Sequence, residues 1–109
     1  METLAEKLHP SRFTDMSGKM AAMVAYILGE TWTDPQIISL SITSDGYLLG
    51  RDTERGFDTG GRFLGCAADL YTNLRNLFEA AELTPAEVLE FVYDAVERVD
   101  NFSEEEVRE

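Results

Sequence analysis

The stretch Ile37 to Gly65, IISLSITSDGYLLGRDTERGFDTGGRFLG, carries the clearest strand signal in the chain and most of its glycine. Ile38, Leu40 and Ile42 alternate with Ser39, Ser41 and Thr43, a period-two pattern that places the apolar side chains on one face of an extended strand. Asp45-Gly46 then reads as a two-residue type I′ turn, because Gly adopts positive φ freely and Asp tolerates it. Tyr47 to Arg51 returns as the partner strand, with Ser44 opposite Tyr47, Ile42 opposite Leu49 and Leu40 opposite Arg51. Beyond the hairpin, five of the eight glycines (Gly50, Gly56, Gly60, Gly61 and Gly65) crowd into sixteen residues among Arg51, Arg55 and Arg62.

Outward from the hairpin the periodicity becomes helical. Upstream, Met16, Met20, Met23, Val24, Ile27 and Leu28 fall on one side at 100° per residue, with Thr14 or Asp15 as the expected cap and Gly29 as the stop. The run MAAMVAYIL is apolar almost all round, which predicts burial on more than one side. A methionine stripe at this spacing fits core filling better than a binding surface. Downstream, Phe63, Ala67, Leu70, Leu74, Leu77 and Ala81 form one stripe, with Leu64, Tyr71 and Phe78 beside it, so a second helix is expected from within 59–65 to about Ala81. Thr84-Pro85-Ala86-Glu87 marks the start of a third: Thr caps, Pro takes the first helical position, and Glu reaches back to the cap. Its expected buried face is Val88, Val92, Ala95 and Val99, flanked by Leu89, Phe91 and Val96. The ends, 1–11 and 103–109, have few apolar residues and are expected to be mobile, although Phe102 can dock the last of the chain.

The resulting fold class is α+β: a long helix, an antiparallel β-hairpin, then two helices packed on one face of the sheet. A chain of 109 residues, 44% hydrophobic, suits a single domain over 1–109 with its own core. The single Cys66 has no internal disulfide partner, which favours a reducing compartment, and the cytoplasm is the expected location. Neither a membrane span nor a signal peptide is read. A lone hairpin with two open edges predicts pairing with a second copy, hence a homodimer.

Charge narrows the function classes. The net charge of −12 repels phosphate backbones and disfavours direct nucleic-acid binding. Acidity is uneven: residues 1–60 hold five basic and nine acidic groups, residues 61–109 four and twelve. In the last helix Glu87, Glu90, Asp94 and Glu97 recur at three- and four-residue steps and form a carboxylate stripe, spaced by roughly 5 to 6 Å along the axis. Helix amphipathicity and solubility account for much of this. Like charges at these steps nonetheless destabilise a helix slightly, so stability alone does not select four of them. The stripe is therefore the candidate surface for a basic protein partner.

The search for catalytic chemistry gives little. His9 is the single histidine, in the segment of weakest pattern and without a nucleophile beside it. Cys66 near a helix start fits a small buried hydrophobe better than a reactive thiolate. Residues 52–58 depart from a calcium loop in the position of glycine and the missing terminal glutamate. Gly60-Gly61 before a helix, with Arg51, Arg55 and Arg62, is a candidate anion site, but it lacks the spacing of a P-loop or a dinucleotide fingerprint. No catalytic, metal-binding or cofactor-binding residue is assigned and no cofactor is expected. The residues favour a small acidic cytoplasmic interaction or regulatory module over an enzyme, with an anion- or phosphate-binding protein using 50–65 as the alternative.

Overall fold

Leu40 and Leu48, on the two strands of the hairpin, are the buried sheet residues of a core to which all four α-helices contribute. The computed structural model describes residues 2–33, 36–53 and 62–102, with 62–67 and 101–102 described by their backbone alone. In chain order these form α1 (Leu4–Lys7), a 3₁₀ turn (Pro10–Arg12), α2 (Gly18–Leu28), β1 (Ile37–Thr43), β2 (Tyr47–Asp52), β3 (Arg62–Cys66), α3 (Ala67–Ala80), α4 (Pro85–Arg98) and β4 (Val99–Phe102). The fold is α+β. One core cluster takes Leu4 and Leu8 from the N-terminal segment, Met23, Val24 and Ile27 from α2, Leu40 and Leu48 from the sheet, Leu77 from α3 and Phe91 from α4. Residues 2–11, expected as a loose end, thus place two leucines in that core, Leu8 with no exposed surface.

Local chemistry explains the helix boundaries. Thr3 and Glu6 form a capping box on α1, Glu6 N–H donating to Thr3 Oγ1 and Thr3 N–H to Glu6 Oε1. The cap of α2 is Ser17 rather than Thr14 or Asp15, since the Ser17 hydroxyl accepts from Met20 N–H at 3.1 Å. Gly29 ends α2 at φ 74°, as the sequence predicts, and the Glu30 N–H reaches back to the Ala25 carbonyl. Ala21, Met23, Val24, Ala25 and Ile27 are all buried, so α2 is enclosed on more than one side. His9 leans against Trp32 with ring centroids 5.0 Å apart, joining the N-terminal segment to the connection after α2.

The sheet is larger than a hairpin. Four strands lie in the order β3-β2-β1-β4, with β1–β2 and β2–β3 antiparallel and β1–β4 parallel. Arg62–Cys66, expected in the first turns of a helix starting within 59–65, is instead a strand, and the helix starts at Ala67. Val99–Phe102 continues straight from α4 into the sheet, where Val99 lies beside Leu40 and Phe102 beside Thr43. The open hairpin edges from which a homodimer was expected are therefore occupied by strands of the same chain.

The hairpin register also differs by one residue from the two-residue turn. Ile42 pairs with Leu48 and Leu40 with Gly50, leaving Ser44, Asp45 and Gly46 as a three-residue loop. Gly46 is left-handed at φ 85° and Asp45 is not, which fits a type I turn followed by a glycine bulge rather than type I′. Gly46 N–H donates to the Thr43 carbonyl and Tyr47 N–H to Thr43 Oγ1, each at 3.0 Å. A second irregularity between Ile37 and Ser39 leaves Ile38 exposed, so Leu40, Ile42 and Leu48 make up the apolar face that meets the helices.

Candidate functional site

The α3–α4 hairpin carries the features that point to function. Its turn is built from backbone hydrogen bonds: Glu82 N–H donates to the Glu79 carbonyl and Leu83 N–H to the Phe78 carbonyl, both at 3.1 Å. Glu82 holds the left-handed position with φ 54°, the single positive φ at a non-glycine among the described residues. The next helix begins as the sequence predicts. Thr84 Oγ1 accepts from Glu87 N–H at 3.2 Å, Glu87 Oε1 accepts from Thr84 N–H at 2.9 Å, and Pro85 fills the first helical position.

That cap changes the role of one residue of the acidic stripe. Glu87 also takes an ion pair from Lys7 at 2.9 Å, and its carboxyl is held below the ordinary carboxylate range by the Thr84 N–H first and by Lys7 second. It is occupied with joining α1 to α4. Glu90 and Glu97 are exposed and Asp94 half-buried, so these three remain on the outer side of α4. Arg98, one turn from Asp94, lies over the Tyr26 ring with its guanidinium carbon 5.9 Å from the centroid.

The apolar side of α4 departs from the expected pattern. Phe91 is buried and meets Phe78 edge-on at 5.0 Å, whereas Leu89, Val92, Tyr93 and Val96 are exposed, Val96 by 72%. Apolar residues cover roughly 200° of this helix at 100° per residue, about twice the stripe that packing on one side requires. Ala95 and Val99, half-buried, pack against the core, Val88 is half-buried beside them, and the surplus faces outward. Tyr71 is exposed on α3 in the same way.

Between the two helices lies an apolar groove of about 890 Å³. Leu70, Tyr71, Leu74 and Phe78 line its α3 wall, Val88, Val92, Ala95 and Val96 its α4 wall, and Leu40, Ile42 and Leu48 its floor. Phe78 and Phe91 meet where the walls approach. Arg75, Glu79 and Glu82 are the charged residues at its border, with Arg75 Nε 3.6 Å from Glu79 Oε1. Sequence periodicity named nearly all of these apolar residues as core. The signal that they exceed the core was the excess width of the α4 arc.

The candidate anion site is only partly within view. Arg55, Gly60 and Gly61 lie outside the described residues. Arg51 is half-buried on β2, its Nε buried without a hydrogen-bond partner among the described residues. Arg62 is on β3 with its backbone paired to Gly50, several residues before α3. Among the described residues no group of three or more His, Cys, Asp or Glu is arranged to hold a metal ion, and no helix is long and apolar enough to cross a membrane. No protein-family model, curated protein or solved structure matches the chain.

Proposed function

We propose that this chain is a small acidic protein-interaction module, working in the cytoplasm, that receives a basic partner on the open side of its α3–α4 hairpin. The observation that carries the reading is the exposure of Leu89, Val92, Tyr93 and Val96 on the helix that also exposes Glu90 and Glu97. Contiguous apolar surface bordered by charge is typical of a docking site, and the isolated exposed leucine needs no such account. Glu90, Asp94 and Glu97 steer and orient the partner, the apolar residues hold it, and Glu87 secures the helix start.

The test is a comparison of partner recovery by the wild type, by Val92→Asp/Val96→Asp and by Glu90→Lys/Glu97→Lys. A specific partner should be lost with the first pair, weakened with the second, and released as salt rises. A partner retained equally by all three proteins and in half-molar salt would remove this face from consideration.

The second reading, an anion- or phosphate-ligand-binding protein using Arg51, Arg55, Gly60, Gly61 and Arg62, is favoured by the buried Arg51 Nε. Inorganic phosphate should then raise the melting temperature of the wild type and leave that of Arg62→Ala unchanged. Equal shifts in both proteins would eliminate it.

A further inference from the structure

We infer that the segment received by the α3–α4 groove is a cationic amphipathic helix of about two to three turns, which rests on the reading of that groove as the interaction surface. Its apolar side enters between the two walls and its basic side meets Glu79 and Glu82 at the border.

Length, backbone chemistry and charge each select this occupant. The lining residues run from Leu70 to Glu79 on α3 and from Val88 to Val96 on α4, roughly 12–14 Å at ~1.5 Å per residue, the length of two to three helical turns. The groove is far larger than one inserted side chain needs, and anchors at i, i+3 or i+4, and i+7 can fill it together. Its walls are helices, whose backbone groups are already bonded within themselves. An extended peptide laid there would bury N–H and C=O groups against Leu, Val and Phe without partners, a cost that a helix avoids by satisfying its own backbone.

Charge then sets the sign of the partner. Glu79 and Glu82 border the groove, whereas Glu90 and Glu97 lie on the far side of α4, roughly 170° around the helix from the middle of its groove-lining arc. Arg75 is the one cation among the described lining residues and is paired with Glu79. A second copy of this chain would bring a net charge of −12 and the same carboxylates to the contact, setting like charges together. Lysine- or arginine-rich flanks relieve that repulsion and gain from it.

The experiment uses three synthetic peptides of about 14 residues: leucine and lysine with leucines at helical spacing, the same composition with leucine and lysine alternating, and leucine and glutamate at helical spacing. Anisotropy gives the affinity and circular dichroism the helix gained on binding. The helical leucine–lysine peptide should bind the full chain at least about tenfold more tightly than either control and become helical. Val92→Asp/Val96→Asp should abolish its binding, and Val92→Thr/Val96→Thr, nearly isosteric, serves if the aspartates disturb folding. Glu79→Lys/Glu82→Lys and half-molar salt should each weaken it by about tenfold or more. Equal binding of the two leucine–lysine isomers, or of the glutamate peptide, overturns the inference. Binding indifferent to both valine pairs overturns the groove as well. If the cationic helix fails while either valine pair disperses a dimer or expels an apolar dye, the groove stands as the interaction surface and its occupant is a second copy or an apolar molecule.

Discussion

Lys7 Nζ stands 2.9 Å from Glu87 Oε1, so a residue of the shortest helix is tied to the capping box that starts α4. Folding lowers the Glu87 carboxyl below its ordinary value of 4.5, chiefly through the Thr84 N–H and then through Lys7. A depressed folded value stabilises the protein above the unfolded value, and that stabilisation is lost as pH falls through the folded one. Glu87→Gln should therefore lower the urea midpoint at pH 7, and the gap from wild type should close on acidification below pH 4.5. Lys7→Ala should have a smaller effect that fades with salt, because the partly exposed ion pair is the lesser of the two causes. A gap that is constant with pH would mean that the Glu87 charge contributes nothing to stability.

Phe91 and Val96 differ in exposure although both lie within the apolar arc of α4: 1% for Phe91 and 72% for Val96. Phe91→Ala should cost about 3–5 kcal/mol, since it removes a buried ring packed against Phe78 and leaves a cavity in its place. Val96→Ala should change stability by no more than about 0.5 kcal/mol. Paired denaturation curves check this. A cost of 2 kcal/mol or so at Val96 would mean that α3 and α4 close over it in the free protein.

What was legible in the sequence was local, and what was not depended on distant partners. Thr84-Pro85-Ala86-Glu87 and Gly29 carry their boundary chemistry within a few residues, and the structure uses both. Arg62–Cys66 was harder, because Phe63 and Leu64 fit the outer end of a helical stripe as well as they fit a short strand. Val99–Phe102 becomes a strand by lying parallel to Leu40–Thr43, nearly sixty residues away, which no local pattern encodes. The groove was hidden for a related reason: periodicity identifies an apolar face without saying whether a neighbour covers it. Phe91 is covered and Leu89, Val92 and Val96 are not.

The one-residue change in hairpin register makes its own prediction. In a type I′ turn Asp45 would need positive φ, and Asp45→Gly would relieve strain. In the observed loop only Gly46 is left-handed, so Asp45→Gly should destabilise by up to about 1 kcal/mol through chain entropy. Gly46→Ala should cost about 1 kcal/mol or more from the backbone alone, since an added Cβ meets no atom within 4 Å. Stabilisation by Asp45→Gly would restore the two-residue turn and with it the pairing of Ile42 with Leu49.

Glu82 sets stability against binding at a single position. Its φ of 54° follows the end of α3, where glycine is the residue that avoids a clash of Cβ with the backbone. Glu82→Gly should therefore stabilise the protein by about 0.5–1 kcal/mol, the relief of strain being partly offset by the freer unfolded chain. The same substitution removes a carboxylate from the border of the groove, so affinity for the helical leucine–lysine peptide should fall as stability rises. Glu82→Ala separates the two effects: alanine keeps the Cβ and the strain but not the charge, and should weaken the peptide like glycine without the gain in stability. If both variants bind the peptide as the wild type does, the carboxylate of Glu82 takes no part in recognition. If glycine brings no stability, the left-handed turn carries no strain for it to relieve.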